Sequence, residues 1–189
     1  MDDRTWKLTS RLLGLPTALL LAAVSHAGTP APFPARQGLE LASTAAQAWA
    51  ADAALVYVEN DEALADGASS ARWGYLFYSP SLERSRVWSV RDGHIAVAEN
   101  LDMRFDAPPV SAEWIDSSQA LASAESGGGG AFRQEFGGRL VTMLLMRGAF
   151  SEDDPDVTTW TFVYSAPGAP SLFVVVDATD GKVQRTWRG

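Results

Sequence analysis

The sequence predicts an α+β protein built from two similar α-β-β-β units, on three observations. First, Trp73-Gly74-Tyr75-Leu76-Phe77 and Trp160-Thr161-Phe162-Val163-Tyr164 share the order Trp-x-aromatic-aliphatic-aromatic. In a strand, side chains alternate between faces, so each run places three rings on one face. Second, Pro80 and Pro167 each follow seven residues after their Trp, and the distances to Gly93 and Gly181 are 20 and 21 residues. Third, Ser171–Arg185 reads as an apolar β-branched strand, an Asp180-Gly181 turn and a short return strand. Val87-Trp88-Ser89-Val90-Arg91-Asp92-Gly93-His94-Ile95 is its echo in the first half.

The chain has 189 residues, 47% hydrophobic and 20% charged, the make-up of an ordinary globular protein of one or two domains. Residues 1–27 have the layout of a secretory signal peptide. Arg4, Lys7 and Arg11 precede the apolar run Leu12–Val24, and Ser25-His26-Ala27 offers small residues at the cleavage positions. The run is shorter than the roughly 20 residues of a membrane span. The expected address is therefore periplasmic or secreted, with no membrane insertion after cleavage. The remaining 162 residues carry a net charge near −9, which disfavours nucleic acid and anionic lipid as partners. There is no Cys, so apolar packing alone must hold the fold together.

Residues 28–38, with Pro30, Pro32 and Pro34, are expected to form a flexible extended lead-in. Leu39, Ala42, Ala46, Trp49 and Ala53 recur at helical spacing, with Thr44 and Gln47 offering a later capping-box start. Leu55–Val58 is the first strand, Glu59–Ser70 a loop, Trp73–Phe77 the second strand and Arg84–Val90 the third. The first unit is placed at 39–107 and a Pro108-Pro109 linker at 108–114. The second unit, 115–189, opens with the capping-box pair Asp116 and Gln119, and Gly127–Gly130 is expected to end its helix. Leu140–Met146 reads as a buried central strand, followed by the acidic loop Ser151–Val157, Trp160–Tyr164 and the closing hairpin.

The closing stretch Val176-Asp177-Ala178-Thr179-Asp180-Gly181-Lys182-Val183 resembles the PepSY family, whose units end in a Val-Asp-x-x-Thr-Gly-Lys-Val-like strand and turn. Asp180 is one residue more than that pattern. Asp116-Ser117-Ser118-Gln119-Ala120-Leu121 is similar to the family's helix start. The resemblance covers about 115–185 well and about 39–98 more weakly. It implies cystatin-like units, a helix laid across a curved antiparallel sheet, in an exported bacterial protein. The family includes propeptides that inhibit thermolysin-type metalloproteases, and it supplies no shared catalytic residues.

Chemistry-bearing patterns are sparse. Gly127–Gly130 follows a helix and precedes Ala131-Phe132-Arg133, the wrong context for a phosphate loop, and reads as a flexible joint. Beyond residue 27, His94 is the one histidine, which leaves no set of nitrogen and sulfur ligands for zinc. Glu152-Asp153-Asp154-Pro155-Asp156 lacks the spacing and glycine of a calcium loop. No Gly-x-Ser-x-Gly elbow occurs, and Asp102 and Asp106 have no special context. No catalytic residue, metal or cofactor is assigned. Trp49, Trp73 and Trp160 are expected in the core. Trp88, flanked by Arg84, Arg86 and Arg91, is expected on an open sheet face as an anchor for an acidic partner. The expected function is an exported, non-enzymatic module that binds a protein or peptide, as a protease inhibitor or chaperone acting in trans. The alternatives are a small-ligand carrier and an enzyme with carboxylates in a cone-shaped cavity.

Overall fold

A computed structural model describes residues 30–101, 105, 107–148 and 156–189. The expected signal peptide at 1–27, Asp102, Asp106 and most of the acidic loop after Arg147 lie outside the described residues. The elements are α1 (Leu39–Trp49), β1 (Ala54–Asn60), a two-stranded hairpin of β2 (Leu64–Ala65) and β3 (Ser69–Ser70), β4 (Arg72–Ser79), β5 (Arg84–Arg91), β6 (His94–Leu101), α2 (Ser117–Ala124), α3 (Gly130–Phe136), β7 (Arg139–Arg147), β8 (Thr158–Ala166), β9 (Ala169–Asp177) and β10 (Val183–Arg188).

Eight of these strands form one antiparallel sheet in the order β10-β9-β8-β7-β1-β4-β5-β6. This overturns the expected two similar α-β-β-β units, each a helix packed on its own curved antiparallel sheet. The reason lies at the seam. Each half contributes four strands, and its first strand would otherwise present a free edge of unpaired backbone groups. Those two edges pair instead, with Tyr57 opposite Met146, Val58 opposite Leu145 and Glu59 opposite Leu144. Past this short ladder, the Asn60 side chain takes over. Its Oδ1 accepts from Met143 N–H at 2.7 Å and its Nδ2 donates to Glu62 O at 2.9 Å.

The helices share one face of the sheet with the aromatic rows. Trp73, Tyr75, Trp160, Phe162 and Tyr164 are fully buried there. Trp73 Nε1 donates to Phe33 O at 2.7 Å, and Trp160 Nε1 donates to Ile115 O at 2.8 Å. Both indoles thus tie their strand to the chain just before a helix, and their rings meet edge-on at 6.3 Å across the seam. Trp114, 5.7 Å from Trp160, extends the stack.

Two segments expected to be loose are docked. In the lead-in, Phe33 is buried and exchanges backbone hydrogen bonds with Ser70. A 3-10 turn over Ala35–Gly38 follows, with Ala35 N–H bonded to Ser117 Oγ at 3.1 Å and Arg36 N–H to Asp116 Oδ1 at 3.0 Å. The start of the first half is therefore held by the cap and first residue of the second half's helix. The expected linker is anchored by Val110 N–H to Leu55 O and by Ser111 N–H to Thr158 Oγ1. Leu101, Phe105 and Ala107 cover Val56, Leu76 and Tyr78 on the sheet's other face. Thr44 sits inside α1, its hydroxyl bonded to Glu40 O, and so does not cap the helix. Asp116 and Gln119 form the expected capping box.

Candidate binding surface

The sequence-predicted patch does not assemble. Trp88 is only 3% exposed, clamped edge-on between Trp49 at 5.6 Å and Phe77 at 5.5 Å. It lies opposite Tyr75 on β4, so strand alternation turns it toward α1. Arg86 shares that face, and its guanidinium lies 5.4 Å from the Trp88 ring centre and donates to Asn100 Oδ1 and Ala98 O. Arg91 points to the opposite face, where it pairs with Glu62 at 3.1 Å. Arg84 is exposed at the start of β5. The four residues are divided between two faces, and the ring meant to anchor a partner is core. His94 is exposed beside its turn, with Nδ1 3.1 Å from Asp92 O.

An aromatic and basic surface does occur, at the other end of the sheet. Strand β10 is an edge strand, paired only with β9. Trp187 lies opposite Phe173, and the two rings stack with centres 4.9 Å apart and planes 6° from parallel. The Arg185 guanidinium sits 5.2 Å from the Trp187 ring centre, within cation–π range. On the helix side of the same strand, Arg188 lies 4.4 Å from the Phe136 ring centre and 3.9 Å from Glu135. The signal was present in the sequence, since Trp187 is flanked by Arg185 and Arg188. What sequence alone could not show is that β10 ends the sheet, whereas β5 has a neighbour on each side.

The hairpin that presents this edge is fixed by its own turn. Asp177 Oδ1 accepts from Thr179 N–H at 2.7 Å, Gly181 N–H bonds Asp177 O at 3.0 Å, and Gly181 adopts φ +75°. Asp180 accepts from Lys182 N–H at 2.9 Å and pairs with its ammonium at 2.6 Å. These contacts hold the Asp180 carboxyl below, and raise the Lys182 ammonium above, their ordinary values.

Gly127–Gly130 ends the helix as expected: Gly128 leaves helical geometry, and a second helix, α3, starts at Gly130. A kink within Glu125–Gly129 joins α2 to α3, with Gly128 at φ +131°, a conformation that side chains rarely adopt. The kink packs against β8–β10 and aims Glu125 at Tyr164, whose hydroxyl donates to Oε1 at 2.9 Å, while Arg133 pairs with Oε2 at 2.6 Å. Burial, then the bond to Glu125, pushes the Tyr164 phenol well above its ordinary value, so it stays a donor. Beside them is a cavity of about 280 Å³ lined by Asp66, Glu125, Arg133 and Arg139 among others. Two further concavities, of about 340 and 320 Å³, are mainly apolar.

No protein-family model matches the chain, and no curated protein does. Among solved structures, the fold is similar to that of a candidate lipoprotein from Clostridium difficile 630. The TM-score is 0.51 and the identity 14%, over 78% of this chain and 90% of that one. At that identity the likeness concerns the fold alone. Among the described residues, no helix is long and apolar enough to cross a membrane.

Proposed function

We propose that this is an exported, non-enzymatic module that binds a protein or peptide partner through the β9–β10 edge. The observation that carries the reading is the Phe173–Trp187 stack with Arg185 above it, on a strand whose outer side has no neighbour in the sheet among the described residues. Tryptophan and arginine dominate binding energy at protein interfaces because they combine a large apolar surface with a polar tip. Export, to the periplasm or outside the cell, is supported by the layout of residues 1–27 and agrees with the candidate-lipoprotein description of the structural neighbour. The PepSY-like hairpin favours an exported protease as the partner, inhibited or chaperoned in trans. The cavity at Glu125, with Arg133 and Arg139, supports a second reading as a carrier of a small polar ligand, at the lower limit of ordinary pocket size.

The test is site-specific photo-cross-linking in the exported compartment. A benzophenone side chain at position 187 should yield an adduct that Arg185→Glu suppresses, while the same group at exposed Leu82 yields none. Equal adducts at both positions, or none at 187, would remove the surface.

A further inference from the structure

We infer that the partner presents an extended acidic segment, which adds to β10 as a ninth strand; this rests on the β9–β10 edge being the contact surface. The register shows which backbone groups are available. Ser171 and Gly189 exchange both N–H···O bonds at 3.1 Å, a closely spaced antiparallel pair. From there the pairing runs unbroken through Arg188–Leu172, Trp187–Phe173, Thr186–Val174 and Arg185–Val175. In an antiparallel ladder alternate residues turn their N–H and C=O to opposite sides. Gly189, Trp187 and Arg185 therefore bond β9, and Thr186 and Arg188 direct theirs outward. The bulge at Gln184 breaks the pattern, so the receptive length is the C-terminal half of the strand.

Charge selects the occupant. Arg185 and Arg188 project to opposite faces of β10, and Arg188 is already turned to Glu135 and Phe136, so Arg185 is the cation an added strand meets. Arg185 makes no ion pair among the described residues. Basic side chains on an edge strand ordinarily block pairing. Here they disfavour a second copy, which brings the same arginines, but they attract a strand bearing Asp or Glu at alternate positions, all on the face that carries Arg185. The opposite edge is unsuited to the same ligand. β6 carries Glu99 and no Lys or Arg, and Arg86 already covers the carbonyl of Ala98. Strand addition of this kind takes its affinity from main-chain bonds and its specificity from alternate side chains.

The experiment uses protein purified from the exported fraction after expression of the full chain. The probe is an eight-residue peptide alternating Glu with Thr and Val, with a Lys-for-Glu counterpart as control. Site-resolved amide exchange should slow at least tenfold at Thr186 and Arg188 with the Glu peptide, with no change in β6. The Lys peptide should slow neither. Arg185→Glu should weaken binding about tenfold, because reversing one exposed charge removes one attraction and adds one repulsion. Perturbation of the Phe173 and Trp187 rings without amide protection would overturn strand addition and leave the surface standing. No effect at rings or amides would overturn both.

Discussion

Replacing Gly129 with Ala separates a fixed glycine turn from a loose one. Gly129 has ordinary helical angles, φ −58° and ψ −45°, so in a mobile joint alanine would stabilise the helix by up to about 1 kcal/mol. In the structure, however, a Cβ there lies 2.9 Å from Tyr164 Cε1 and closer still to Cζ and the hydroxyl oxygen. Tyr164 cannot swing away freely. It is fully buried, its ring packs 6.5 Å from Phe132, and its hydroxyl is held by Glu125. Overpacking of this kind costs about 1–3 kcal/mol, and displacing the phenol from a carboxylate costs about 1.5–3 kcal/mol more if the bond breaks. Less the helix gain, the expected loss is about 1.5–5 kcal/mol, or roughly 3–20 °C in Tm for a chain of this size. Urea unfolding followed by tryptophan fluorescence measures it. An unchanged or raised midpoint would refute the packing argument and restore the flexible joint.

Other perturbations test other parts of the account. Trp88→Ala should cost about 3–5 kcal/mol in chemical denaturation, as a core truncation does, and Trp88→Phe should leave partner binding intact; a lost partner in folded Trp88→Phe would return the site to β5. Asn60→Ala leaves Met143 N–H without its acceptor at the seam and should lower stability by about 1–3 kcal/mol in the same assay. Asp52 accepts from Ser79 Oγ at 2.6 Å and Ser81 N–H at 2.7 Å, which holds its carboxyl below 3.8, the hydroxyl contributing most. A carboxyl lowered by folding stabilises above its unfolded pKa and loses that contribution as pH falls through the folded one. Asp52→Asn should therefore flatten the decline in stability below about pH 4, and an unchanged acid limb would contradict the assignment.

What was legible in the sequence was local. The period-two rows at Trp73–Phe77 and Trp160–Tyr164, the Asp116–Gln119 box and the Asp180-Gly181 turn each depend on a few neighbouring residues, and each forms as expected. What was not legible depends on contacts between distant parts of the chain. Nothing in Val58 or Leu145 announces that β1 and β7 pair, and that pairing turns two expected sheets into one. The lead-in looked mobile because prolines suit extended linkers, yet Phe33 and Ala35 provide the acceptors for Trp73 and Tyr75. Trp88 and Trp187 have the same arginine-rich flanks. Only sheet order tells which ring is buried under a helix and which stands at an edge.

The most direct measurement is the dissociation constant of an acidic, strand-forming peptide for three proteins: wild type, the pair Arg185→Glu/Arg188→Glu, and the pair Arg84→Glu/Arg91→Glu. A loss of tenfold or more is expected in the β10 pair and wild-type affinity in the β5 pair, at low ionic strength where exposed charges act. Equal affinity in wild type and the β10 pair, or a loss confined to the β5 pair, would contradict binding at the β10 edge.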